Sequence, residues 1–310
     1  MMKLPILSLI TALPLLAQQN PPYVQPPGVD VQSDIVYATI GDRQMHLDLY
    51  LPKTPAAAPM PAVVYIFGGG WVKGSKIAFR RQAAYMATKG YAGACIEYRL
   101  SGEAKYPAAI YDSKAAVRWV RANARKYNID PDRIAAAGGS AGGHLALLLG
   151  TTGDNPAYDS NEGVTGVSSR VAAVAGFNPA VDLVDFGKRL EADPNNGVVR
   201  FLGGSYKDKP ELWHAASPTF QVNAKAAPSL FLHGDADTTV PYQQSVEMIQ
   251  KLKAAGVRAE LFTAPGAKHG FFNSPPWYEP TVKRMEEFFD ALLKPVAPPT
   301  TERSSLTSRP

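Results

Sequence analysis

Hydrophobic positions along the chain change period several times, and each change marks an element. From Met45 to Leu51 apolar residues alternate with His46, Asp48 and Tyr50, the two-residue period of a strand with one buried face. Ile35 to Ile40 precedes this run across Gly41-Asp42-Arg43-Gln44, so the spacing predicts an antiparallel hairpin. Ala62 to Phe67 is almost continuously apolar, as a strand covered on both faces requires. Further strands are predicted at Tyr91 to Tyr98, Arg133 to Ala137, Val171 to Phe177, Ser229 to His233 and Arg258 to Thr263. Helical stretches lie between them: Ile77 to Lys89 stopped by Gly90, a helix opening at Pro107, Tyr242 to Ala255 stopped by Gly256, and Thr281 to Leu293. In the second of these, Ile110, Val117, Val120, Ala124 and Tyr127 share one face, while Lys114, Arg118, Arg121 and Arg125 fall on another, read as the wet side. Asn178 to Ala227, with four prolines, reads as a long irregular region that forms a lid or substrate wall. Strand and helix in alternation predict an α/β fold, a mostly parallel doubly wound sheet with an antiparallel N-terminal hairpin.

The ends of the chain differ from this pattern. Lys3 precedes a mostly apolar run from Leu4 to Leu16, followed by Ala17. This reads as an export signal over residues 1–17, with a retained anchor as the alternative, and places the mature protein in the periplasm or outside the cell. Pro21, Pro22, Pro26 and Pro27 predict a flexible leader over 18–33, and the proline-rich polar stretch 295–310 predicts a disordered tail. One folded domain is expected over 34–294.

Composition narrows the chemistry. The 310 residues carry 32 Lys+Arg against 27 Asp+Glu, a net charge of +5, and these charges are scattered, so no nucleic-acid footprint is expected. The lone Cys95 lies in an apolar run and reads as a buried thiol. No His/Cys cluster suggests a metal, and no cofactor is expected.

The candidate chemistry centres on Gly138-Gly139-Ser140-Ala141-Gly142-Gly143, set between an apolar run and a helical one. A strand, a sharp turn and a helix around G-x-S-x-G describe a nucleophile elbow, which exposes the serine hydroxyl at the end of the strand. The motif alone is weak, because small residues are common. A second feature supports it. Gly68-Gly69-Gly70-Trp71 directly follows the buried run at Ala62 to Phe67, where an oxyanion loop stands in such enzymes. A phosphate loop is excluded, since Ser75-Lys76 reverses the order that motif demands. A nucleophilic serine also needs a base and a carboxylate. Of the five histidines, His46 and His144 are set aside by location, His214 falls in the irregular segment and His233 precedes a turn. This leaves His269, on the loop after a strand, where catalytic groups collect in open α/β sheets. For the acid, Asp235 and Asp237 both follow the strand at Ser229 to His233, and spacing does not choose between them.

Gly68 to Trp71, Gly138 to Gly143, His233-Gly234-Asp235-Ala236-Asp237-Thr238-Thr239-Val240-Pro241 and Lys268-His269-Gly270-Phe271 together resemble the α/β-hydrolase superfamily. Within it, the chain is similar to the secreted esterase group that includes bacterial feruloyl and acetylxylan esterases (BD-FAE-like). The resemblance implies the α/β-hydrolase fold, a triad of Ser140, Asp237 and His269, an oxyanion hole from the N–H groups of Gly69, Gly70 and Ala141, and no cofactor. The implied activity is serine carboxylic ester hydrolysis on small-molecule or polysaccharide esters. Phe67 stands where that group usually has histidine, which implies the loss of a hydrogen bond bracing the oxyanion loop. Trp71, Tyr98, Phe271, Phe272, Trp277 and Tyr278, near predicted strand ends, are candidates for a substrate pocket.

Overall fold

A computed structural model describes residues 23–54, 56–153, 155–189, 193 and 195–294. The predicted export segment and the predicted tail lie outside the described residues. No helix among those described is long and apolar enough to cross a membrane.

Among the described residues eight strands form one sheet: β1 (Val29–Ile40), β2 (Arg43–Pro52), β3 (Met60–Ile66), β4 (Ala92–Ile96), β5 (Ile129–Gly139), β6 (Val174–Phe177), β7 (Ser229–Gly234) and β8 (Ala259–Ala264). Their order is β1-β2-β4-β3-β5-β6-β7-β8. The hairpin pairs β1 with β2 and β2 with β4 antiparallel, and every pairing from β4 across to β8 is parallel.

The uninterrupted apolar run of β3 is explained by the two layers around it. Val64 and Ile66 face α2 (Ala108–Ala122), α3 (Ala141–Thr152) and α7 (Tyr242–Ala254). Val63 and Tyr65 face α1 (Arg80–Thr88) and α8 (Tyr278–Leu293). Successive side chains of a strand point to opposite faces, so a strand covered on both needs apolar residues at every position.

Three expectations need correction. The expected flexible leader ends early, because β1 already begins at Val29, which is fully buried against the Tyr50 side of the sheet. Among the described residues of that leader, only 23–28 lie outside regular structure, and the Gly28 carbonyl accepts the Lys53 N–H at 2.9 Å. The polar face of α2 is not wet throughout. Lys114 is fully buried and donates to the Thr152 carbonyl at 2.8 Å, and Arg118 donates to the carbonyls of Val164 and Glu162, both at 2.6 Å, and pairs with Asp159. The chain between α3 and β6 lies over that face, and its backbone oxygens need donors that water no longer supplies. The segment 178–227 is not irregular. It holds three short helices, α4 (Leu183–Arg189), α5 (Gly197–Leu202) and α6 (Pro210–Ala216). None is long enough to express a hydrophobic period, but each start has a local cause: the Asp182 carboxylate accepts the Asp185 N–H at 3.0 Å, the Asn196 side chain accepts the Val198 N–H at 2.8 Å, and Pro210 occupies the first turn of α6.

Candidate active site

The sheet ends β5 at Gly139 and begins α3 at Ala141, leaving Ser140 alone in the turn with φ 53° and ψ −119°. A residue with a side chain avoids that region, at a cost on the order of 1–3 kcal/mol. The turn is held because the Ser140 N–H donates to the Phe177 carbonyl and its own carbonyl accepts the His144 N–H, both at 2.9 Å. The glycine two residues on has a steric reason: a Cβ on Gly142 would lie 2.1 Å from the Ile66 carbonyl oxygen. Only a bare backbone lets the first turn of α3 rest on the end of β3.

His269, on the loop after β8, lies between the serine and a carboxylate. Its Nε2 is 2.9 Å from Ser140 Oγ and its Nδ1 is 2.7 Å from Asp237 Oδ2. Asp237 follows β7, and its side chain is fully buried. Burial alone would raise its pKa. The hydrogen bonds from His233 and His269 and from the Val240 N–H outweigh this and hold the carboxyl well below the usual carboxylate range. Asp235, the other carboxylate that spacing allowed, is exposed and accepts the Gly266 N–H at 2.6 Å, so it ties the loops after β7 and β8 together. The ionised Asp237 makes Nδ1 of His269 the proton-bearing nitrogen and leaves the Nε2 lone pair facing the serine hydroxyl.

Gly69 and Gly70 border the cavity at Ser140. Gly69 has φ +114°, and a Cβ there would lie 2.0 Å from the Lys73 carbonyl oxygen. Among the described residues the N–H groups of Gly69, Gly70 and Ala141 donate to no protein acceptor. Two sets of contacts brace this loop. The Phe67 ring stacks on Tyr98 with centroids 4.3 Å apart, and the buried Tyr98 hydroxyl donates to the Phe67 carbonyl at 3.1 Å. Two residues beyond Gly69, Trp71 donates its indole N–H to Nδ1 of His144 at 3.2 Å, and Nε2 of His144 donates to the Ala216 carbonyl at 2.6 Å. Burial pushes the His144 pKa down to about 4, so the ring stays neutral at pH 7 and can serve both bonds. One imidazole thus connects α3, the loop at Gly68 to Trp71 and the end of α6. Trp71→Phe, which removes the N–H together with part of the ring, is expected to lower kcat about three- to tenfold. Steady-state kinetics beside a melting curve separates that result from general destabilisation.

Two cavities meet at Ser140. One of about 430 Å³ is bordered by Ala78, Phe79, Asn178, His269, Phe272 and Asn273. The other, about 200 Å³, is bordered by Trp71, Ala180, Phe186, Val198 and Val240. Of the aromatic pocket candidates, Trp71 and Phe272 therefore reach the site. Tyr98, Phe271, Trp277 and Tyr278 border neither cavity. Tyr98 is used to brace Phe67, Phe271 packs edge-on against Trp277 at 6.3 Å, and Tyr278 lies under the Arg81 guanidinium at 3.9 Å. In the short helical turn at Phe271–Asn273 the two adjacent rings meet edge-on with centroids 6.0 Å apart, and only Phe272 borders the cavity, which sequence order alone does not reveal.

Three neighbours of the site were not singled out for it by sequence. Asn178, fully buried at the end of β6, accepts the Gly270 N–H at 3.2 Å and brings its amide nitrogen 3.4 Å from Nε2 of His269. His233 Nε2 approaches the same Oδ2 of Asp237 at 3.4 Å, and its ring is fixed by Ser245 Oγ at 2.7 Å. Its four-residue spacing from Asp237 was the available signal. His144 was visible as a polar residue inside the apolar run of α3.

The order serine after β5, acid after β7 and histidine after β8 is that of the α/β-hydrolases, and fold and site together place the protein in that class. Residues 47–252 match the profile of the BD-FAE family, and the chain belongs to it. Esterase LipC of Mycobacterium tuberculosis is 34% identical over 229 residues, covering 73% of this chain and 56% of that protein. The chain thus spans little more than half the length of this relative. A truncated carbohydrate esterase from gut microbiota superposes with a TM-score of 0.77 at 30% identity, covering 86% of this chain and 97% of the other. Thermogutta terrifontis esterase 2, solved with propionate bound, gives 0.72 at 34% identity, covering 87% and 97%.

Proposed function

We propose that the protein is a serine carboxylic ester hydrolase acting through an acyl-enzyme on acetyl or feruloyl esters of plant polysaccharide or on related small esters. The observation that carries this reading is the unbroken line from Ser140 Oγ through His269 to Asp237 at the floor of an open cavity. His269 Nε2 takes the hydroxyl proton as Ser140 Oγ bonds to the ester carbon. The resulting oxyanion is received by the N–H groups of Gly69, Gly70 and Ala141, each such donor being worth about 3 kcal/mol in the transition state. The ester C–O bond then breaks, and the imidazolium returns its proton to the departing alkoxide. Water repeats the sequence on the acyl-enzyme: it gives a proton to His269, and Ser140 leaves with that proton restored. The carbohydrate-esterase neighbour supports an acylated sugar as the alcohol partner. The apolar run after Lys3 supports action outside the cytoplasm.

A panel of acetylated xylan, methyl ferulate, p-nitrophenyl acetate and aminoacyl anilides tests the reading, together with labelling by a fluorophosphonate. Ester turnover and a single covalent adduct are expected. Cleavage of the anilides in preference to esters would make it a peptidase or amidase of the same fold, and a protein that neither labels nor turns over would be a binding module.

A further inference from the structure

The two cavities meeting at Ser140 differ in one respect that assigns their occupants, given the ester-hydrolase reading above. His269 borders the larger and not the smaller. The leaving alkoxide must receive its proton from Nε2 of His269, so the alcohol half of the ester has to lie on that side. The acyl substituent then points the other way, past Gly70, into the cavity walled by Trp71, Ala180, Phe186, Val198 and Val240.

That second cavity is small and dry in character. Its volume of about 200 Å³ is not far above the ~150 Å³ that admits a benzene. Phe186, on α4, and Val198, on α5, border this cavity together with Ser140 and are themselves at most 8% exposed. The amide oxygen of Asn196 is engaged by the Val198 N–H, and Thr239 sits exposed at the mouth. The wall is also fixed in place: a Cβ on Gly197 would fall 2.9 Å from the Gly70 carbonyl oxygen, so the start of α5 rests directly on the oxyanion loop. We infer that Phe186 and Val198 set the acyl specificity of the enzyme, admitting short unbranched acyl groups and disfavouring hydroxycinnamoyl groups, whose ring oxygens would meet the hydrocarbon of those two side chains. The sugar or other alcohol, in contrast, meets a wider opening with Asn178 and Asn273 at its edge.

A series of p-nitrophenyl esters from acetyl to octanoyl, with methyl ferulate beside methyl butyrate, reads this directly. In the wild type kcat/KM should rise by up to about fourfold per methylene while the cavity fills, then fall once it is full, before octanoyl. Phe186→Ala should move the maximum to longer chains. Val198→Phe should confine activity to acetyl, and circular dichroism shows whether each variant is folded. Because one variant enlarges the cavity and the other fills it, the pair still decides the matter if one of them fails to fold. Asn273→Ala, on the alcohol side, should scale all acyl lengths alike. Profiles of the folded variants that superpose on wild type, a shift produced by Asn273→Ala instead, or preference for methyl ferulate over methyl butyrate would overturn the assignment. Absence of turnover with every ester, together with no fluorophosphonate adduct, would instead strike the esterase reading on which it rests.

Discussion

Ser140→Ala is expected to reduce kcat on p-nitrophenyl acetate by about 10⁶-fold, the scale on which loss of the nucleophile removes the function of a whole triad. A residue of catalysis, roughly 10³-fold over water, should remain from the oxyanion donors and substrate positioning. The fluorophosphonate adduct should vanish completely. The variant should nevertheless fold. Alanine meets the same backbone strain at φ 53° as serine, and the only bond removed is the one to His269 at 2.9 Å, worth about 1 kcal/mol and a few degrees of melting temperature at most. Activity lost with stability kept would tie the chemistry to one oxygen atom. Retained labelling in this variant would move the nucleophile elsewhere and undo the reading of the elbow.

The centre of the sheet was legible in the sequence because strands such as β3 are covered on both faces and bounded by glycine or proline, so runs such as Ala62 to Phe67 admit few other readings. Ser140 and His269 could be reached from glycine context and from elimination among five histidines. The choice of Asp237 over Asp235 could not, because it depends on which way each carboxylate turns. Asp237 points inward to three donors, Asp235 outward to the Gly266 N–H. The walls of the site were hidden for a different reason. Helices of six or seven residues such as α4 and α5 carry too few turns to show a period, and their position over Ser140 is a long-range fact. The buried cations Lys114 and Arg118 were misplaced by the same logic, since a helical period gives the direction of a side chain and not what the distant chain lays over it. Aromatic residues near strand ends were the weakest guide. Tyr98 and Phe272 differ in role because one meets the Phe67 ring and the other the cavity, a distinction of packing alone.

Asp237→Asn should cost about 10⁴-fold in kcat through the histidine's tautomer. In the wild type Oδ1 of Asp237 accepts the N–H groups of Thr239 at 2.8 Å and Val240 at 2.9 Å, while Oδ2 accepts from His269. An asparagine has one oxygen, and the two backbone donors claim it. Its amide nitrogen then faces Nδ1 of His269, which must present a lone pair there, so the ring proton moves to Nε2 and the Ser140 hydroxyl loses its acceptor. KM should change little, because the site keeps its shape. A second measurement checks the electrostatics. The Asp237 carboxyl titrates lower in the folded protein than in the unfolded chain, so its ionised form contributes stability above the unfolded value of about 3.9 and loses it as pH falls toward the depressed folded value. The wild type should therefore melt higher than Asp237→Asn at pH 7, with the gap narrowing below about pH 4. A gap independent of pH would mean that the charge of Asp237 is not what its neighbours hold in place, and normal kcat in the variant would remove it from the catalytic line altogether.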